Sequence, residues 1–179
     1  MNARCAGGAG ETPASTALRG LQNLCVQQKA RYLRQRVMDG DQLRSVGNKF
    51  AAAWAAPQLD RFIDLLHPNV TLLQPVTKPI RGRAAAREEF ARLLAWLPDL
   101  CGTVDRIAIV DDTLLIAWRL RFSLGASPYE LRIVDRIVVA DGLILEREAY
   151  YDSLGLMIAL LARPSAWTGY WRYRGYLPR

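Results

Sequence analysis

The residue best placed to do chemistry in this 179-residue chain is Asp135, because of where it falls in an alternating pattern. Tyr129, Leu131, Ile133, Asp135 and Ile137 share one face of a strand, and Glu130, Arg132, Val134 and Arg136 share the other. A carboxylate on an apolar strand face costs several kcal/mol unless it is paired, hydrogen-bonded or neutral. Arg147 is the candidate partner. If Ala140-Asp141-Gly142 form a three-residue hairpin loop with Gly142 left-handed, Val139 faces Leu143 and Arg147 falls directly opposite Asp135. Two readings stay open. The pair is a buried ion pair that fixes register, or it is a carboxylate held by one guanidinium for acid/base work or for a ligand's polar group. A one-residue change of register would turn Arg147 outward. Burial raises the acid's pKa and Arg147 lowers it, so both protonation states remain open.

Other chemistry is scarce. His67 is the single histidine, which removes multi-histidine metal sites. It precedes Pro68 at an expected helix end, where capping of the last carbonyls accounts for it. Cys5, Cys25 and Cys101 form no C-x-x-C pair, so neither a disulfide framework nor a zinc site is expected. The net charge of +7 divides unevenly. Residues 44–162 hold 14 basic and 14 acidic side chains, and the excess lies in the two tails. A neutral centre argues against a nucleic-acid-binding core, although not against basic arms.

Elements must hold Asp135 in place. Residues 1–16 are mostly Gly, Ala, Ser and Thr and read as a disordered tail. Within 17–41, Leu21, Leu24, Cys25, Gln28, Tyr32 and Leu33 recur at helical steps from Leu18 to Val37, an extra basic amphipathic helix. Asp39-Gly40-Asp41 supplies a break and an N-cap. A domain over 42–160 follows. Its helices are expected over 42–56, 59–66 and 83–97, ended by Pro57, by His67-Pro68-Asn69 and by Pro98. A strand is expected over 70–74, then loop 75–79 and a turn at Arg81-Gly82. Strands over 103–110, 113–124, 129–139 and 143–151 complete an α+β plan. The tail 161–179 interleaves Trp167, Tyr170, Trp171, Tyr173 and Tyr176 with arginines. It is expected to fold back on its own domain or a dimer mate, with base stacking or a membrane interface as the alternatives.

The runs Phe-Ala-Ala-Ala-Trp (50–54), Leu-Asp-Arg-Phe-Ile-Asp-Leu-Leu-His-Pro-Asn-Val (59–70), Ile-Arg-Gly-Arg (80–83), Leu-Pro-Asp-Leu (97–100), Ala-Asp-Gly-Leu-Ile (140–144) and Tyr-Tyr-Asp (150–152) resemble SnoaL-like proteins. These belong to the nuclear-transport-factor-2-like, ketosteroid-isomerase-like superfamily. The resemblance implies a cone: a curved, mostly antiparallel sheet wrapped around three helices, with a ligand cavity inside and a homodimer packed through the sheet. In ketosteroid isomerases the position similar to Asp135 holds a hydrogen-bond-donating acid, the handling of a neutral buried carboxyl described for that enzyme. Their general base would fall near Gln74 and their oxyanion tyrosine near Phe50, neither of which has the required group. The residues of limonene-type epoxide hydrolases would fall near Ile116, Trp118 and Ala149, and none of them is retained. A polyketide cyclase of this type needs fewer positioned groups and no metal or cofactor.

Asp135 and Arg147 are therefore the candidate catalytic residues. Phe50, Trp54, Gln74, Phe90, Trp118, Tyr129 and Tyr151 are the candidate ligand-binding wall, suited to a small hydrophobic or polycyclic molecule bearing one or two oxygens. The expected function is binding of that molecule, with cofactor-free isomerisation or cyclisation through Asp135. The alternative is a non-catalytic binding or dimerisation module. No apolar run reaches the length of a membrane span, and no secretory apolar segment follows Met1-Asn2-Ala3-Arg4, so the cytoplasm is the default compartment.

Overall fold

The computed structural model describes residues 40–176 and 178. The tail 1–16 and the extra helix over Leu18–Val37 lie outside the described residues.

Helix α1, Gly40–Ala55, buries Leu43, Val46, Phe50, Ala53 and Trp54, the stripe that steps of three and four residues produce. Gly40 and Asp41, expected in a break, are helical. Pro57 lies just beyond the end of α1, and helix α2, Leu59–Asp64, then buries Phe62 and Ile63. Strand β1, Leu66–Leu73, starts four residues earlier than the local signal. His67-Pro68-Asn69 are strand, not a helix stop. The cause is remote: β1 runs parallel to strand β6, Leu143–Tyr151, with Leu66 beside Ile144 and the Ile144 N–H donating to the Leu65 carbonyl at 2.8 Å. Pro68, which lacks an N–H, falls where that register shifts between Leu66 and Thr71. His67 caps no helix. Its Nδ1 accepts from the Asn69 N–H, and its Nε2 lies 3.8 Å from Asp141 Oδ2.

Strand β2, Ile80–Arg81, pairs with β1 where only a turn was expected, and helix α3 follows over Arg83–Trp96. Strands β3, Cys101–Val110, β4, Thr113–Leu124, and β5, Ser127–Ala140, form an antiparallel meander that ends in β6. The curved sheet has the order β2-β1-β6-β5-β4-β3, all antiparallel except β1 with β6. Helices α1 to α3 lie on its inner side. There Phe50, Trp54, Phe62, Phe90 and Trp118 make one aromatic cluster, with ring centroids 4.6 to 6.1 Å apart. Truncating any one of these rings removes roughly 3–5 kcal/mol of packing. The outer face is charged and carries the Arg119–Asp105, Arg121–Glu130 and Arg136–Glu146 pairs.

After β6, Asp152 caps helix α4, Ser153–Leu161, by accepting from the Gly155 N–H at 2.8 Å. A 3-10 turn at Pro164–Ala166 leads to helix α5, Trp167–Tyr173. The tail thus folds back on its own domain. Trp96 of α3 stacks on Tyr173 at 4.9 Å and meets Tyr170 edge-on at 5.5 Å. Gly169 makes this approach possible, since a Cβ there would come within 2.8 Å of the Trp96 ring. Among the described residues, no helix is long and apolar enough to cross a membrane.

Candidate functional site

Asp135 lies in the middle of β5 and is fully buried. Its Oδ2 accepts two hydrogen bonds, from Trp118 Nε1 at 3.0 Å and from Arg147 Nε at 2.9 Å. Oδ1 is buried and has no hydrogen-bond partner among the described residues. Burial pushes the Asp135 carboxyl above the ordinary carboxylate range, against the opposing pull of Arg147 and of the indole hydrogen bond.

Sequence register alone places this pair incorrectly. Ala140 pairs with Leu143, so the hairpin loop has two residues, not three, and both Asp141 (φ 54) and Gly142 (φ 73) are left-handed. That is a type I′ turn, whose twist matches the strands it joins. Continued unbroken, this register would put Arg147 on the outer face. A bulge intervenes. Val139 faces Ile144 and Val138 faces Glu146, so Leu145 is the extra residue and the inward positions resume at Arg147. Arg147 therefore stands opposite Ile137, Asp135 opposite Ala149, and the two side chains meet on the diagonal.

The Arg147 guanidinium is held by rings as well as by the acid. Its central carbon lies 5.6, 5.2 and 5.7 Å from the ring centroids of Phe50, Trp54 and Trp118. Desolvated contacts of this kind are worth about 2 kcal/mol or more when the ring face is presented.

A cavity of about 110 Å³ lies beside the guanidinium. Of the expected residues, Trp54, Gln74, Phe90, Trp118, Arg147 and Tyr151 line it. Asp135 and Phe50 do not. They sit behind Arg147 and Trp118, so only the basic member of the pair faces the cavity. Tyr129 is elsewhere, packed on Phe122 and lining a surface hollow with Asp99 and Arg121.

Among the wall residues that escaped sequence reasoning are Glu89, Tyr173 and Arg174. Glu89 shares the stripe of Ala86, Phe90 and Leu93 on α3, a signal that was available. The Tyr173 hydroxyl donates to Glu89 Oε1, and Arg92 Nη2 donates to Glu89 Oε2 at 2.6 Å. Burial and the nearby Glu89 push the Tyr173 hydroxyl far above its usual range. Helix α5 thus closes the cavity on the side of α3. Val76, Thr77, Glu89, Tyr173 and Arg174 also line an adjoining, more open hollow, which marks the mouth. Among the described residues, no three His, Cys, Asp or Glu side chains gather where they could hold a metal ion.

Residues 48–147 match the SnoaL-like domain family. No curated protein matches the chain. Similar solved structures include a candidate SnoaL-like polyketide cyclase from Jannaschia sp. (TM-score 0.62, 19% identity, covering 69% of this chain and 94% of that one). A protein with the ketosteroid isomerase-like fold from Catenulispora acidiphila, in complex with trimethylamine, gives TM-score 0.60 at 18% identity, over 68% of this chain and 95% of that one. TerC, co-crystallised with polyporic acid, gives TM-score 0.59 at 14% identity, over 65% and 96%. At these identities the likeness is one of fold.

Proposed function

This chain belongs to the SnoaL-like domain family, and on that premise we propose that its cavity binds a small, mainly apolar molecule carrying an oxygen that contacts Arg147. The observation that carries the reading is the Arg147 guanidinium set into a largely aromatic and aliphatic wall, with Arg174 a second cation on the side of the mouth. Asp135 is then a positioning residue that fixes Arg147 from behind. A cavity of about 110 Å³ is of the same order as the roughly 150 Å³ that accommodates benzene in an engineered apolar core, so a single small ring is the largest occupant it takes without movement of its wall. A polycyclic molecule would need α5 displaced. Relatives of this fold crystallised with trimethylamine or polyporic acid support a cone that accepts small organic molecules.

A catalytic form of the same reading is a cofactor-free isomerase or cyclase in which Asp135 moves a proton. The unpartnered Oδ1 favours it, since a buried oxygen without a donor is the natural seat of a proton. Family membership also carries the expectation of a homodimer through the outer face of the sheet, where Val134 and Tyr150 are exposed among the ion pairs. Native mass spectrometry of the purified chain tests the binding reading: a stoichiometric small molecule is expected. Asp135→Asn separates the two forms. Lost turnover with retained affinity supports acid/base chemistry, whereas lost affinity alone supports a positioning role.

A further inference from the structure

Among the described residues, Arg147 uses one of its five N–H donors. Nε donates to Asp135 Oδ2, an oxygen already taken by the Trp118 indole, while Oδ1 beside it is left bare. A side-on fork from Arg147 would have satisfied both oxygens of Asp135, and the structure does not adopt it. Among the described residues, neither Nη1 nor Nη2 donates a hydrogen bond. Three rings hold the guanidinium where it is, and the cavity is the space its free edge borders. Against a largely apolar wall, a planar acceptor with two oxygens satisfies these donors best. The other charges on the wall do not compete. Glu89 is engaged by Tyr173 and Arg92, and Arg174 adds a second cation at the mouth.

From this, and resting on the binding reading above, we infer that the ligand is a carboxylate on a single small ring, its two oxygens taken by Nη1 and Nη2 of Arg147 and its ring lying among Trp54, Phe90 and Trp118. The contact with Asp135 leaves the far edge of the Arg147 guanidinium open. Selection of a carboxylate thus comes from the geometry of the fork as much as from charge.

Isothermal titration of the full chain at pH 7 with sodium benzoate, benzamide and benzyl alcohol tests the inference. Benzoate is expected to bind at least about tenfold more tightly than either neutral analogue. In Arg147→Lys, which keeps the charge and loses the fork, benzoate should weaken about tenfold or more, with benzyl alcohol changed less than about threefold. If benzamide binds the native chain as tightly as benzoate, the carboxylate inference falls and the binding reading stands. Benzoate binding unchanged by Arg147→Lys also overturns it, because the anion then sits elsewhere. Saturable binding of none of the three probes overturns both readings. Should the lysine variant not fold by circular dichroism, the comparison of the three probes on the native chain decides alone.

Discussion

Arg147 donates to Asp135 at 2.9 Å although the backbone sets it opposite Ile137, two pairs further along the ladder and on the same face. The contact depends on the bulge at Leu145, which returns Arg147 to the inner face, and on three aromatic rings that keep its guanidinium in place. Acid, base and rings form one unit, and its members should respond to substitution together.

Non-additivity is therefore expected. Arg147→Met leaves a buried carboxylate with only the Trp118 indole and should cost about 3–5 kcal/mol, whereas Arg147→Met combined with Asp135→Leu should cost much less than the sum of the single changes. Urea denaturation of the two singles and the double measures this. Additivity within about half a kcal/mol would show that the two residues do not interact.

The Asp135 carboxyl has its pKa raised by burial, so the folded state holds this proton more tightly than the unfolded chain does. Its contribution to stability is full below the unfolded value near pH 4 and is lost as pH rises through the folded value. Native protein should therefore lose stability relative to Asp135→Asn as pH is raised from about 4. Urea midpoints across pH 4 to 8 check the sign. A native protein that gains on the variant over that range would mean that Arg147 outweighs burial.

Gly142 has φ 73 in the type I′ turn, and an added Cβ would meet nothing within 4 Å. The cost of Gly142→Ala is thus backbone strain alone, about 1–2 kcal/mol. Equilibrium unfolding should show that loss with ligand affinity unchanged. A loss above about 4 kcal/mol would indicate that the hairpin register itself had slipped.

Gly169→Ala drives a methyl into the Trp96 ring and should push α5 away from α3. Tyr173 would then lose its hold on Glu89, opening the cavity on that side. The near-ultraviolet circular dichroism of the aromatic layer should weaken, and larger ring systems should gain affinity. Tyr173→Phe is the milder probe. It removes one hydrogen bond, worth roughly 1.5–3 kcal/mol to a charged acceptor, and leaves the Trp96 stacking in place. Unchanged ligand dissociation rates in both variants would exclude α5 as the closing element.

Local pattern was enough wherever the structure repeats. Strands β4 and β6 span Thr113–Leu124 and Leu143–Tyr151, the bounds that alternation sets, because each residue's face follows from its neighbour's in a pleated strand. The stripes of α1 and α3 were equally legible, as was the anomaly of Asp135 and the identity of its partner. What remained hidden depended on distant chain. His67 to Asn69 became strand because β6, some eighty residues later, pairs alongside them. A single bulged residue decided whether Arg147 points inward, and in the continuous apolar run Leu143-Ile144-Leu145 the local pattern does not mark which residue is extra. The separation of the pair, with Arg147 at the cavity and Asp135 behind it, came from the packing of Trp118 and Phe50. The closing role of the aromatic tail came from the fit of Gly169 to Trp96. Composition sets what a segment can bury, but only the folded chain sets what it is buried against.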